Sequence, residues 1–252
     1  MKNSASGEPR WLDVAPERFP GWIASFARRH GATGQELAVT VALTGDNVIF
    51  TAPDGAVAEC HPPFPPLADN SKRRAAPAVG AARQADEAGE AGDAAPADRV
   101  AKAVAAHAQT PRTVGVLLVR LGGYAVGVFA GYPPALADAK TGRRLVHGRS
   151  AAGGWSQHRF ARRREKQASE ALQAAAAAAV DVFGRWAEKR LDAVVLGGDK
   201  RAMAELRQDP RLAPYLAIAT DRFLTVPDPK RAVLEDAPRL FLSVKIRLTE
   251  RR

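Results

Sequence analysis

The feature that most constrains the fold is a long stretch with helical periodicity, from residue 157 to about residue 190. Mostly apolar or small residues recur there at steps of three and four, which predicts one helix with a single buried stripe. At about 1.5 Å per residue this helix is roughly 50 Å long, and Gly184 is the expected position of a bend or break. The predicted stripe contains Phe160, Arg164, Ala168, Ala171, Leu172, Ala175, Ala179, Val182, Phe183 and Trp186. Its many alanines favour close packing on a sheet, because alanine is a strong helix former with a small side chain.

Strand signals on both sides of this helix supply such a sheet. Residues 114–120 and 124–130 are apolar runs joined at Gly122-Gly123, and a double glycine is typical of a hairpin. Beyond the helix, residues 193–196 indicate a buried strand, followed by a glycine turn and a helix at 200–206. Another short strand lies within residues 216–226. This succession predicts an α/β fold, and functional sites tend to gather at the carboxyl ends of such strands.

The first 66 residues predict a separate small α+β unit, which makes the chain α+β overall. Residues 15–31 indicate a helix, because Trp22, Ile23 and Phe26 fall at helical spacing. Three short strands follow, at residues 36–43, 48–52 and 56–60, separated by turn residues. The first unit is therefore predicted to be a three-stranded meander packed on one helix.

The rest of the predicted domain organisation follows from composition. Residues 67–98 contain almost no large apolar side chain, so they are predicted to form a linker or exposed arm. A second unit is expected over residues 99–252, opening with a helix near its start. Its last segment, residues 240–248, alternates apolar and polar side chains as a strand does, and this strand suits either sheet.

Positive charge is concentrated in one segment. The formal net charge of the chain is +10 and its pI is about 10.2, which favours a polyanionic partner such as nucleic acid or an acidic membrane face. A general compositional bias would spread the charge, but here nine cations face a single Glu165 between residues 140 and 166. They are Lys140, Arg143, Arg144, Arg149, Arg159, Arg162, Arg163, Arg164 and Lys166. The sequence thus indicates one basic loop and one basic helix start.

Other features narrow the class of protein. The single cysteine, Cys60, allows no internal disulfide and fits a reducing compartment. The first ten residues have no apolar core, so they do not resemble a signal peptide. No apolar run approaches the roughly 20 residues of a membrane helix. We therefore expect a cytoplasmic protein without a membrane partner.

Common catalytic and metal-binding motifs are incomplete. The five histidines form no HxxxH pair and Cys60 has no second thiol, so no metal and no cofactor are expected. "GWSQH" lacks the final glycine of a nucleophile elbow. "GGDKRA" lacks the spacing of a phosphate-binding loop, which makes a plain strand-to-helix turn the better interpretation.

The remaining candidate is "SAAGGWSQHRFARRREKQ", residues 150–167. Its simplest interpretation is a disordered basic loop before a helix. Three features favour a site instead: glycines that can approach a ligand closely, arginines that suit phosphate, and Gln157 between them. A neutral amide is a poor base, but it can orient a water molecule and donate a hydrogen bond to a developing oxyanion.

These residues resemble a known family. "HGRSAAGGWSQHRFARRREKQ" is similar to the catalytic loop and following helix of eukaryotic and archaeal class I peptide release factors, where a G-R-G-G-Q loop precedes an RFARxRxEK-type helix. The resemblance covers about residues 112–225, including "LDAVVLGGDKRAMAEL". Here Trp155 and Ser156 separate the glycines from Gln157, as in the Vms-like release factors and their actinobacterial branch, which free nascent chains from tRNA on stalled large ribosomal subunits.

The resemblance implies a release-factor-like catalytic domain, with a mixed sheet and a long helix, acting as a peptidyl-tRNA hydrolase. Gln157 would position water against the ester, by its side chain or its backbone N–H, and Gly153 and Gly154 would let the loop approach the terminal adenosine. Trp155 would stack on a base or pack on the loop. The residues expected to bind tRNA or ribosomal RNA are Arg149, Trp155, His158, Arg159, Arg162 and Arg163.

The implied partners are the large ribosomal subunit carrying peptidyl-tRNA, the tRNA acceptor end and ribosomal RNA, with no DNA, and the chain is expected to be a monomer. A stop-codon-reading domain is not recognisable, so codon-independent rescue is expected. Two alternatives stay open: a nuclease that cuts the tRNA 3′ end, and a non-catalytic factor that occupies stalled ribosomes.

Overall fold

The computed structural model describes residues 8–31, 39–67, 96–120, 123–143, 156–186 and 188–250, with the side chains of 156–165 left out. It confirms the predicted mixed α/β class. The chain divides into two compact units, one formed by Met1–Thr110 with Leu242–Arg252 and the other by Pro111–Phe241. This division differs from the predicted boundary at residue 99. The predicted linker falls almost wholly on residues 68–95, which are outside the described ranges.

The first unit contains a five-stranded antiparallel sheet in the order β1-β10-β4-β3-β2. Its elements are β1 Arg10–Val14, α1 Phe19–His30, β2 Thr40–Thr44, β3 Asn47–Thr51, β4 Val57–His61, α2 Pro96–Ala108 and β10 Val244–Thr249. The predicted helix and meander are confirmed as α1 and β2–β4. The sheet is larger than predicted, because β1 was not recognised and the C-terminal strand β10 pairs between β1 and β4.

One face of this sheet forms the core of the first unit. Val48 and Phe50 of β3 are buried together with Phe19, Ile23 and Phe26 of α1. Helix α2 adds its own apolar stripe to the same core, consisting of Ala97, Val100, Ala101 and Val104. This packing explains why α2, predicted to open the second unit, belongs to the first.

The second unit is built on a mixed five-stranded sheet in the order β7-β6-β5-β8-β9. Its strands are β5 Arg112–Arg120, β6 Gly123–Gly131, β7 Ala135–Arg143, β8 Ala193–Gly198 and β9 Ala219–Leu224. The pairs β5–β6 and β6–β7 are antiparallel, whereas β8 is parallel to both β5 and β9. Its helices are α3 Ser156–Gly184, α4 Lys200–Leu206, α5 Ala213–Leu216, α6 Arg231–Glu235 and α7 Ala237–Phe241.

Most strand and helix predictions for this unit are confirmed, namely the β5 and β6 strands, β8, α4 and β9. The long helix α3 begins within one residue of its predicted start, but it ends at Gly184. Its 29 residues span about 43 Å rather than the predicted 50 Å. Residues 237–241, whose last two were predicted to begin the C-terminal strand, form helix α7 instead.

The helices within the described ranges, α3 included, lack the combination of length and apolarity that crossing a membrane requires.

Candidate functional site

The start of helix α3 carries five of the predicted site residues. Gln157 is its second residue, and His158, Arg159, Arg162 and Arg163 follow within its first eight. The backbone of these positions is helical, and their side chains are outside what the structure describes. Four more predicted residues lie before the helix and outside the described ranges: Arg149, Gly153, Gly154 and Trp155. The helix start therefore locates Gln157 in the fold without fixing the orientation of its side chain.

The opposite end of α3 holds the helix on the sheet. Ala175, Ala176, Ala178, Ala179, Val182 and Phe183 are buried against apolar residues of β5 and β6. Gly115 of β5 makes room for the Phe183 ring, because a Cβ there would lie 2.9 Å from the ring's Cε1. The Tyr215 ring lies on the other side, with its centroid 5.2 Å from that of Phe183. This packing fixes the position of the helix along its own axis.

The buried stripe of α3 is shorter than predicted. Ala168 was predicted to be buried but is exposed, and the first buried residue of the helix in the described range is Ala171. The predicted members Phe160 and Arg164 have no described side chain. By helical rise, Gln157 lies roughly 21 Å along the axis before Ala171.

A network of charged side chains attaches the end of α3 to β7. The Arg185 guanidinium donates to both carboxylate oxygens of Asp138, at 2.8 and 3.0 Å, and to Asp181 at 2.7 Å. Lys140 Nζ donates to Asp181 at 3.0 Å. The hydrogen bond from Arg185 is the main reason why the pKa of Asp138 is lowered below its ordinary value. Lys140, predicted to lie in the basic loop, is therefore a paired strand residue.

The segment that leads to α3 leaves the sheet at the carboxyl edge of β5. Because β7 and β5 are each antiparallel to β6, the two strands run in the same direction. Gly123 pairs with Arg120 on one side and with Arg143 on the other, so the ends of β5 and β7 share one edge. Parallel strand β8 ends there too, since Gly198 pairs with Val119. The structure thus brings the end of β7, which precedes the predicted site, to the edge where functional sites tend to gather.

The side chains at this edge hold its loops together. Arg120 Nη1 donates to the carbonyl of Val226 at 2.9 Å, and Arg143 Nη2 lies 3.6 Å from Asp228 Oδ2. Arg143 is thus on a strand and faces a carboxylate, whereas the sequence indicated a loop whose only acid is Glu165. Sequence reasoning missed this partner because Asp228 is distant along the chain.

The turn after β8 has the structural role that was predicted for it. Gly198 has φ +104°, and a Cβ there would overlap the carbonyl group of Val119. The Asp199 backbone N–H donates to Val119 O at 2.8 Å, and its carboxylate accepts from Ala202 N–H at 2.9 Å. These contacts make Asp199 the cap of α4.

An open groove on α3 lies away from the helix start. Its volume is about 550 Å³, and it is lined by Glu170, Gln173, Ala174, Ala177 and Arg211. Glu170 lies roughly 20 Å along the helix axis from Gln157, so the groove is separate from the predicted site. Within the described ranges, no group of three or more His, Cys, Asp or Glu side chains is placed to hold a metal ion.

Comparison with protein families gives one match. A family model described as the Actinobacteria/chloroflexi VLRF1 release factor, acVLRF1, matches residues 112–247. The matched span is more than half of the chain, and it includes the whole of α3 and the mixed sheet of the second unit. None of the curated proteins matches the chain.

Solved structures with a similar arrangement include three archaeal proteins. The archaeal translation termination factor aRF1 is 14% identical, with a TM-score of 0.39 over 93% of this chain and 64% of that chain. Pelota from Archaeoglobus fulgidus is 12% identical, with a TM-score of 0.29 over 95% of this chain and 65% of that chain. Another archaeal protein is 15% identical, with a TM-score of 0.32 over 94% of this chain and 69% of that chain. The chain thus spans 64% of the length of the archaeal termination factor.

Proposed function

Because the chain belongs to the acVLRF1 family of release factors, we propose that it is a ribosome-associated peptidyl-tRNA hydrolase. It releases nascent peptides from tRNA on stalled large ribosomal subunits. The observation that supports this most directly is the position of Gln157, the second residue of a helix that follows a glycine-containing segment.

Hydrolysis requires a water molecule to attack the ester carbonyl while negative charge develops on its oxygen. Gln157 acts by orienting this water or by donating a hydrogen bond to the oxyanion, since its amide cannot take up a proton efficiently at neutral pH. Its backbone N–H is also one of the first four of α3, which have no acceptor inside the helix. Both donors of Gln157 are therefore suited to the developing charge, and Gly153 and Gly154 allow the close approach that either requires.

The cations around Gln157 bind the RNA that carries the substrate. Arginine suits phosphate because its planar guanidinium can donate two parallel hydrogen bonds. Arg159, Arg162 and Arg163 lie within two turns of Gln157 on one rigid helix, and Arg149 precedes it. With His158 and Trp155 they hold the tRNA acceptor end and ribosomal RNA. Replacing the three helical arginines by alanine should weaken subunit binding and reduce its salt dependence by roughly one logarithmic unit per lost phosphate contact.

Recognition through RNA backbone and the acceptor end requires no codon. We therefore place the activity in codon-independent rescue of stalled subunits rather than in stop-codon termination.

The test uses stalled large subunits that carry peptidyl-tRNA labelled on the peptide and at the tRNA 3′ end. Wild-type protein should release free peptide and leave the tRNA at full length. Gln157→Ala should slow release by about 10²–10³-fold, the usual cost of one oxyanion donor, while binding is retained.

The matched control is Gln173→Ala, the same substitution at an exposed position of the same helix. It should release peptide at the wild-type rate. A shortened tRNA would assign the chain as a nuclease, and binding without either product would assign it as a non-catalytic factor. Both results would contradict the proposed hydrolase.

A further inference from the structure

The sheet of the first unit has a second face, which points away from the core. Leu12 and Val14 of β1 pack on the core, so Trp11 between them projects from the other face. The same alternation places Lys245 and Arg247 of β10 on that outer face, because Val244, Ile246 and Leu248 are buried in the core. Glu59 and His61 of β4 are also outer-face residues, since Ala58 and Cys60 are buried.

Two aromatic rings meet over the middle of this face. Trp11 is 58% exposed, the highest value for a large apolar side chain among the described residues. Its ring centroid lies 5.2 Å from that of His61, with the planes inclined at 49°. These residues belong to β1 and β4, which are separated by β10, and their rings therefore reach across that strand.

The strand beneath the two rings contributes cations. Arg247 pairs with Trp11 on one side and with Glu59 on the other, and Lys245 pairs with Asp13 and His61. The aromatic pair and the cations of β10 thus form one compact cluster, which we call the Trp11 cluster: Trp11, His61, Lys245 and Arg247.

The carboxylates of this face are already engaged by protein donors. Glu59 is approached by Asn47 Nδ2 at 3.3 Å, by His61 Nε2 at 3.4 Å and by Arg247 Nη1 at 3.5 Å. Asp13 accepts a hydrogen bond from the Ser243 hydroxyl at 3.0 Å. Arg247 nevertheless keeps a side chain that is 48% exposed. The cations therefore offer charge to a partner, whereas the acids are compensated within the sheet.

We propose that the Trp11 cluster binds single-stranded RNA, with an unpaired base stacked on Trp11 and adjacent phosphates at Lys245 and Arg247. An exposed aromatic ring beside cations, on the open face of an antiparallel sheet, is a recurrent arrangement for unpaired bases. Bases in a duplex are stacked on one another, so their faces are not accessible to the Trp11 ring. This site is separate from Gln157 and goes beyond peptide release.

The test measures binding of the full chain to fluorescein-labelled oligouridine and to a labelled RNA duplex of similar length, by anisotropy. Trp11→Ala should weaken binding to the single strand roughly tenfold, because stacking of one base contributes on that scale. Duplex binding should stay within about twofold, since it depends on phosphate contacts. Trp11→Phe keeps an aromatic face and should restore most of the single-strand affinity.

The matched control is Leu43→Ala, which removes another large exposed apolar side chain from the same sheet, 45% exposed on β2. It should bind both RNAs as the wild type does. Equal single-strand affinity of Trp11→Ala and wild type would overturn the proposal. Loss of subunit binding by Trp11→Ala with unchanged oligouridine affinity would also overturn it, because the face would then bind protein.

Failure of this proposal is distinguishable from failure of the proposed hydrolase. Trp11→Ala at saturating concentration should still release peptide, whereas Gln157→Ala should bind oligouridine normally. An inactive wild-type protein with Trp11-dependent RNA binding would remove only the hydrolase.

Discussion

The two ends of helix α3 differ in what surrounds their residues. From Ala171 to Phe183 the helix is lined by small and apolar side chains that are buried on the sheet. Over residues 166–170, by contrast, no side chain is buried, and the residues before them include four arginines. One continuous helix therefore combines an anchored end with a charged end. The comparison teaches that substitutions at the first should change the free energy of unfolding, and those at the second should change RNA binding and release.

Phe183→Ala should have the largest effect on stability. It removes a fully buried ring that packs between Gly115 and Tyr215, and it leaves a cavity. Such truncations lower the free energy of unfolding by about 3–5 kcal/mol. Urea denaturation followed by circular dichroism measures the change. A loss below about 1 kcal/mol would show that the ring does not anchor the helix.

The same substitution at both ends gives a sharper comparison. Ala175 is fully buried, so Ala175→Leu inserts a larger side chain into close packing and should cost about 1–3 kcal/mol. Ala168 is exposed, so Ala168→Leu should stay within about 0.5 kcal/mol of the wild type. Thermal unfolding of the two variants side by side checks this, and equal shifts would contradict the difference between the two ends.

Loss of the Arg185 network should have the smallest effect. Asp138→Asn removes a charged acceptor at a partly exposed site, and should reduce stability by roughly 0.5–1 kcal/mol at neutral pH. The folded-state pKa of Asp138 lies below 3.8, so its contribution is complete well above that pH and is lost as the pH falls through the folded pKa.

Unfolding curves of wild type and Asp138→Asn should therefore differ at pH 7 and converge below about pH 3.8. Asp236→Asn is the control, because Asp236 is 70% exposed and lies 3.9 Å from Arg239. It should change stability less than Asp138→Asn does. A difference that persists unchanged at low pH would exclude the ionised Asp138 as its source.

Periodicity predicted the elements better than their partners. The alternation in residues 244–249 defines a strand with one apolar face, but the same face suits either sheet, and only packing assigns β10 to the first unit. Helix α2 was recognised as a helix and assigned to the wrong unit, because its stripe does not reveal which core it joins. Strand β7 was missed because its exposed, polar residues resemble a loop.

The candidate site was predictable in its position but not in its surroundings. The glycine-to-glutamine order and the arginines that follow located Gln157 at a helix start, which the structure places at Ser156. The partners of Lys140 and Arg143 could not be predicted, since Asp181 and Asp228 approach them only in the folded chain. The Trp11 cluster has no local signal either, because three strands from distant parts of the sequence bring it together.

The most direct test of the division along α3 is the single-turnover rate of peptide release by Gln157→Ala, measured at saturating protein on stalled large subunits. Its unfolding curve, recorded on the same preparation, should coincide with that of the wild type. We predict a release rate lower by about 10²–10³-fold with unchanged stability and subunit affinity. Release within about threefold of the wild-type rate would contradict the assignment of the chemistry to the charged end of the helix.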